Sequence, residues 1–304
     1  MGAGHSHSHG HAHGAADHGA AFAIGVALNL AFVIVEAAFG FLSGSMALVA
    51  DAGHNLSDVL ALALAWGASV LARRPPAGRF TYGFKSSTIL AAMANAALLL
   101  VAIGGIAFET FNRIAAPPEV EGRTMIWVAG IGILVNAGTA MLFARGRKHD
   151  LNIRGAFLHM AADALVSLGV VVAGAAILLT GERWIDPVTS LVIVLVIAWG
   201  TWGLLKDSVK LGLNAVPGHI DEAAVRGHLA GLAGVAAVHH LHIWPMSTTE
   251  AALTAHLVMP GGHPGDAFLH AVAHDLDHDF GIGHATIQVE MELTGADAER
   301  HACR

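Results

Sequence analysis

The sequence predicts a multi-pass α-helical membrane protein that continues into a small α/β domain, and three observations lead to this fold class. First, 55% of the 304 residues are apolar, only 13% are charged and the mean hydropathy is +0.60, which is too apolar for an ordinary soluble protein. Second, six apolar runs are long enough to cross a bilayer, which takes about 20 helical residues. Third, the composition changes after residue 210, where the patterns of a soluble domain begin.

The chain begins with a histidine-rich segment, HSHSHGHAHG, which lacks the basic start and the cleavage site of a signal peptide. We expect residues 1–19 to form a disordered cytoplasmic tail, because His, Ser, Gly and Ala cannot build a packed core. The tail histidines are candidates for concentrating metal near the membrane domain, and a solvated tail with no essential role is the alternative. These histidines are His5, His7, His9, His11 and His13.

Residues 20–210 contain the predicted six-helix transmembrane domain. The spans lie near residues 21–42, 46–72, 87–111, 125–144, 156–179 and 187–205. Basic residues concentrate in the loops on one side, and such an excess marks the cytoplasmic side. That side carries Arg73, Arg74, Arg79, Lys85, Arg145, Arg147, Lys148 and Arg154, and the other carries Arg113, Arg123 and Arg183. Both termini are therefore expected to be cytoplasmic.

Residues 211–304 are predicted to form a second domain with the order helix, strand, strand, helix, strand. Two helices packed on one face of a three-stranded sheet would bury its apolar side chains. If the strands alternate without interruption, a set of polar side chains shares the other sheet face. This set is His240, His242, His256, His284 and Glu290. A zinc site and a solvated face are both consistent with that arrangement.

Two of the predicted spans carry the same polar pair. HNLSD in the second span contains His54 and Asp58, and HMAAD in the fifth contains His159 and Asp163. Residues four apart lie on one helix face, so two facing helices would supply two imidazoles and two carboxylates. This set has the ligand chemistry of tetrahedral Zn²⁺, and its two carboxylates balance the charge of the ion. Polar packing between helices is the alternative, but ionisable groups in a membrane are costly and usually functional.

Three more polar residues in the first two spans are candidates for orienting a ligand or passing protons. Asp51 lies within about 60° of His54 on a helical wheel, Asn55 follows His54 directly, and Glu36 is an ionisable residue deep in the first span. Hydrogen bonding to a neighbouring helix is an equally open interpretation of these residues.

Other motifs then make a family resemblance specific. They are RFTYGFKS at residues 79–86, IDPVTS at residues 185–190, and HLHIW and HATIQVE in the second domain. Together with the two polar pairs, they make the chain resemble the cation diffusion facilitators, zinc exporters that exchange metal for protons, over nearly its whole length. One departure is visible, because many of these proteins have a Glu two residues after the basic residue that follows the Tyr-Gly pair, whereas KSST keeps Lys85 and loses that Glu.

The resemblance implies a homodimer, a ferredoxin-like cytoplasmic domain, and His54, Asp58, His159 and Asp163 as the transport ligands. The sequence therefore predicts an inner-membrane exporter that moves Zn²⁺ out of the cytoplasm in exchange for protons, with other divalent cations left open as substrates. An intramembrane zinc metalloenzyme and a membrane-anchored metal sensor are the alternatives, although no HExxH motif is present. The net charge of -7 suggests no nucleic-acid partner, and the single cysteine, Cys303, excludes an intrachain disulfide.

Overall fold

The structure is a computed structural model of the chain that describes the backbone of residues 19–143 and 151–292. Within these ranges, the side chains of residues 19–26, 61, 62, 65, 142, 143 and 151–159 lie outside the description. The elements in chain order are α1 (Gly19–Ser43), α2 (Met46–Ala72), α3 (Ser87–Ala115), α4 (Gly122–Phe143), α5 (Leu151–Thr180), α6 (Ile185–Gly212), α7 (Glu222–Ala230), β1 (Ala237–Pro245), β2 (Ala251–Val258), α8 (Asp266–Phe280) and β3 (His284–Glu290).

A helix covers each of the six apolar runs, and four helical stretches are long and apolar enough to cross a membrane among the described residues. These four are Ser87–Ala115, Gly122–Met141, Met160–Thr180 and Ile185–Gly212. A shorter apolar stretch, Ala27–Ser43, belongs to α1. The prediction of a membrane protein with several apolar helices long enough to span the bilayer is thus confirmed.

The chain divides into two compact units, with boundaries inside α2 after Val59, inside α3 after Ala102 and inside α6 after Val196.

In the first unit, α4 and α5 pack closely because glycines face each other. A Cβ atom on Gly122 would lie 2.7 Å from the carbonyl oxygen of Gly174. Close backbone approach at small residues is how helices associate without a hydrophobic driving force in lipid.

The first turn of α2 is held by a carboxylate from the IDPVTS motif that opens α6. Asp186 accepts hydrogen bonds from the backbone N–H groups of Met46, at 2.8 Å, and Ala47, at 3.2 Å, and from the hydroxyl of Ser45. Asp186 is 1% exposed. A buried carboxylate on the free N–H groups of a helix start satisfies them and interacts favourably with the helix dipole. This contact fixes the helix that carries His54 about two turns later.

The second unit contains a mixed three-stranded sheet with the order β1-β2-β3. β1 and β2 are antiparallel, and β2 and β3 are parallel, with α8 as the connection. The structure shows the order of helices and strands that the sequence predicts for this domain. The core of the domain contains Leu253 and Leu257 of β2 together with Leu229 of α7 and Leu276 of α8, all at 0% exposure.

β1 is not a regular strand. Its pairing with β2 shifts between His239 and His242, so the ladder contains a bulge at this point. His240 has a φ of 50°, a left-handed conformation that is uncommon for residues other than glycine. An extra residue in a strand reverses which side chains face each side of the sheet.

The turn between β1 and β2 contacts the segment that begins α3, also within the second unit. The ammonium group of Lys85 forms an ion pair with Glu250. The backbone N–H of Thr248 donates to the hydroxyl of Thr88 at 3.0 Å. Lys85, whose own loop lacks the Glu that the resemblance leads us to expect, thus has a carboxylate partner in the sheet domain.

Candidate metal centres

The first candidate centre joins α2 and α5. His54 Nε2 lies 3.8 Å from Asp58 Oδ2 on the same helix and 3.3 Å from Asp163 Oδ1 on α5. Each of these side chains offers one ligand atom, and the three atoms all lie within 4.8 Å of one another. Asp163 is 2% exposed, whereas His54 and Asp58 are 18% and 28% exposed. One imidazole and two carboxylates at this spacing can close around a divalent ion by small side-chain rotations.

His159, the fourth expected ligand, precedes Asp163 by one turn of α5. Its side chain lies outside the described residues. Its position in the helix relative to Asp163 repeats that of His54 relative to Asp58.

Buried polar residues surround this centre. Glu36 of α1 and Asp51 of α2 are both fully buried, and Asn55 donates from Nδ2 to Oε2 of Glu36 at 3.1 Å. Ser167 of α5 donates from its hydroxyl to Oδ2 of Asp51 at 3.0 Å. The three polar residues predicted from the sequence therefore hydrogen-bond between helices and lie beside the centre.

Ser167 was missed by sequence reasoning. The signal was available, because this residue lies one turn after Asp163 on the same face of α5. A Ser among apolar residues is common in membrane helices, so the residue type alone gave no reason to select it.

The second candidate centre lies on the sheet. Glu290, the last residue of β3, accepts from His239 Nε2 at 3.0 Å on Oε2 and from His256 Nδ1 at 2.7 Å on Oε1. The three residues offer ligand atoms within 4.8 Å of one another, and all are half-buried. Burial acts to raise the pKa of Glu290, but the hydrogen bond from His256 and the charge of His239 lower it below its usual value. The cluster is therefore stable as a hydrogen-bonded group even without an ion.

This cluster contains two of the five sheet residues expected from alternation, His256 and Glu290, and adds His239, which was missed. The bulge explains the difference, because it brings His239 to the polar face that alternation assigned to His240 and His242. His239 pairs with His256 in the ladder, whereas His242 is exposed and pairs with Thr254.

The remaining expected sheet residues lie near the cluster or away from it. The ring of His240 is 4.9 Å from that of His256 between centroids, so it borders the cluster. His284 begins β3, and its ring contacts Tyr82 edge to face at 5.6 Å. The tail histidines, which are His5, His7, His9, His11 and His13, lie outside the described residues, as does Cys303.

Comparison with known families covers both domains. Residues 22–211 match the cation efflux transmembrane domain, and residues 217–292 match the cytoplasmic domain of cation efflux proteins. The chain belongs to the cation efflux family. This membership confirms the resemblance inferred from the motifs.

Curated relatives of this cation efflux protein align over most of its length. The chain is 39% identical to the zinc transporter ZitB of Escherichia coli over 293 residues, which are 95% of this chain and 93% of that protein. It is 36% identical to the metal cation efflux system protein CzcD of Cupriavidus metallidurans over 99% of this chain and 94% of that protein. It is 35% identical to the cadmium, cobalt and zinc/H(+)-K(+) antiporter of Bacillus subtilis over 88% of this chain and 87% of that protein.

Members of the cation efflux family are transporters and not enzymes. The alternative of an intramembrane zinc metalloenzyme is therefore set aside.

Proposed function

We propose that the chain exports Zn²⁺ from the cytoplasm in exchange for protons, with His54, Asp58, His159 and Asp163 as the transport ligands. The observation that carries this proposal is the convergence of His54 and Asp58 of α2 with Asp163 of α5, with ligand atoms within 4.8 Å of one another. The names of the relatives agree, because they include a zinc transporter and a zinc/H(+)-K(+) antiporter.

Charge balance supports exchange with protons. Zn²⁺ between two carboxylates and neutral imidazoles gives a site with no net charge, which a low-dielectric surrounding favours. When the ion leaves, the carboxylates lose their counter-charge, and protons are the available replacement. Asp51, which accepts a hydrogen bond from Ser167, and Glu36, which accepts one from Asn55, are buried beside the centre and are proposed to help protons reach the ligands.

The finer architecture belongs to the same proposal. We propose that all six long helices, α1 to α6, cross the inner membrane, with residues 1–19 and the domain of residues 211–304 in the cytoplasm. The basic loops on that side support this orientation. The second domain is proposed to be ferredoxin-like and to hold two copies together as a homodimer, and the relation of residues 217–292 to a cytoplasmic domain of efflux proteins supports this.

Everted membrane vesicles test the exchange directly, because their outer surface is the cytoplasmic one. Vesicles acidified inside should take up Zn²⁺ against its gradient, and added Zn²⁺ should release protons from the lumen. Vesicles carrying Asp163→Asn should do neither at equal protein content. Zinc uptake that continues at the same rate after the pH gradient is collapsed would identify a uniporter and contradict the proposal.

A further inference from the structure

A row of histidines on α8 belongs to neither candidate centre. His270, His274 and His278 follow each other at intervals of four residues and are exposed to solvent. The opposite face of α8 is buried through Val272 and Leu276. The three imidazoles are therefore not required for packing, and their spacing puts each within one turn of the next.

Two of these imidazoles are already arranged as a pair. The rings of His274 and His278 are parallel within 8°, and their centroids are 5.9 Å apart. Each is followed by an aspartate: His278 Nδ1 lies 2.7 Å from Asp279 Oδ1, and His274 Nδ1 lies 3.6 Å from Asp275 Oδ1.

The carboxylates determine which nitrogen each ring presents. With Nδ1 directed to a carboxylate, Nε2 is the nitrogen left for coordination, and histidine ligands in metal sites are oriented in this way. The contact at 2.7 Å is a hydrogen bond, whereas the contact at 3.6 Å is too long for one. The ring of His278 is therefore the better oriented of the two.

We propose that His274 and His278 together chelate a first-row transition-metal dication through their Nε2 atoms. The two side chains are 76% and 75% exposed, so they can rotate to bring both nitrogens onto one ion, and water completes its coordination. Neutral imidazoles one helical turn apart suit Zn²⁺, Ni²⁺ and Cu²⁺, and Cu²⁺ is expected to bind most tightly of the three. This site is separate from the transport ligands and goes beyond the proposed exporter function.

The test uses purified full-length protein, Zn²⁺ as the probe and carbethoxylation of histidine, read for each residue by peptide mass spectrometry. A bound ion blocks the nitrogen that the reagent attacks. Rising Zn²⁺ should protect His274 and His278 over the same concentration range. His270, which is followed by an alanine where His274 and His278 are each followed by an aspartate, should stay reactive in that range and is the internal control.

Two matched pairs of variants separate chelation from binding to one histidine. His274→Ala should raise the Zn²⁺ concentration that half-protects His278 by at least about tenfold, because a second ligand on one scaffold adds at least that factor. His270→Ala should leave it unchanged. Asp279→Asn should weaken protection of His278 more than Asp277→Asn does. Alanine keeps the helix intact. The site would be overturned if Zn²⁺ did not protect His278, or if it protected His278 equally well in wild type and in His274→Ala. Neither result bears on the proposed transport of Zn²⁺.

Discussion

The two candidate centres contain the same ligand types in opposite proportions. The described part of the membrane centre has one imidazole and two carboxylates, on α2 and α5. The sheet centre has two imidazoles and one carboxylate, on three strands. With neutral imidazoles, Zn²⁺ would give the first set no net charge and the second a charge of about +1.

This difference matches the surroundings of each centre. A neutral loaded site is favoured between apolar helices, where a net charge is costly. A net positive site is tolerated on the sheet, where Glu290 and both histidines keep contact with solvent. In addition, Glu290 already accepts from both histidines, so the sheet centre can lose its ion without leaving a charge unpaired. We infer that the first set is built to move an ion and the second to hold one reversibly.

The largest expected effect comes from removing charge at the membrane centre. Asp58→Asn and Asp163→Asn should each abolish Zn²⁺ uptake into everted vesicles, because the amide keeps the shape of the side chain but cannot balance the ion. Asp207→Asn is the matched control, since Asp207 on α6 is 71% exposed and pairs only at the surface with Lys210 among the described contacts. The assay compares initial rates at equal protein content.

Normal expression and membrane insertion of the two inactive variants are part of this expectation. If either variant kept more than about a tenth of the wild-type rate, a loss of roughly 1.4 kcal/mol or less in transition-state terms, the carboxylate would not be a transport ligand. The membrane centre would then not be the charge-balanced transport site that the comparison with the sheet centre assumes.

The next effect concerns metal preference and changes the ligand balance directly. His54→Asp would give three carboxylates, a loaded charge of about -1 and ligands that can each bind through two oxygens. A larger ion accepts such a set better than Zn²⁺ does. We expect wild-type protein to prefer Zn²⁺ to Cd²⁺ and His54→Asp to narrow that preference while still moving Zn²⁺.

Paired initial rates for the two metals in one vesicle preparation measure this preference. His242→Asp, at an exposed position on β1, is the control for an added carboxylate. A Zn²⁺ to Cd²⁺ ratio equal in wild type and His54→Asp would show that His54 does not bind the ion directly.

A smaller effect is expected at the sheet centre, and it tests the bulge in β1. In a chain carrying Asp163→Asn, so that the membrane centre is silent, Zn²⁺ should raise the thermal unfolding midpoint. Binding only to the folded form stabilises it by about 2.7 kcal/mol at 100 times the dissociation constant. His239→Ala should remove most of this gain, and His242→Ala should keep it. If His242→Ala removed the gain and His239→Ala kept it, the result would favour regular alternation along β1 over the bulge.

The helices of the membrane domain were predictable because long apolar runs leave the backbone no alternative to helix in lipid. The ends of these helices were harder to predict. The predicted sixth span ends near residue 205, whereas α6 continues through Lys206 and Lys210 to Gly212. A helix need not end where its apolar run ends, because its hydrogen bonds continue equally well in water.

The sheet centre could be predicted only in part, and one residue explains why. The prediction depended on strict alternation, which a single residue in the left-handed region, His240, reverses. The segment VHHLH contains no glycine, asparagine or aspartate, which are the usual signals of such a residue. Repeating helical pairs such as His54 and Asp58 carry no such risk, because the period of a helix continues through its length.

The smallest expected effect is at the ion pair between Lys85 and Glu250, in the contact that joins the start of α3 to the β1–β2 turn. Both side chains keep access to solvent, at 32% and 48% exposure. Pairs of this kind contribute about 0.2 to 1 kcal/mol and weaken in salt. We therefore expect Lys85→Ala, Glu250→Ala and the double variant to show a coupling below about 1 kcal/mol in thermal unfolding, reduced further at high ionic strength.

The pair of Arg226 and Glu222, one turn apart on α7 and exposed by 43% and 41%, provides a matched cycle within one helix. Similar coupling in the two cycles would make the Lys85 contact an ordinary surface pair, and the hydrogen bond from Thr248 to Thr88 would then carry the junction. A coupling above about 2 kcal/mol exceeds what exposed pairs supply. That result would mean that Lys85 and Glu250 hold the start of α3 to the β1–β2 turn more strongly than an exposed surface pair does.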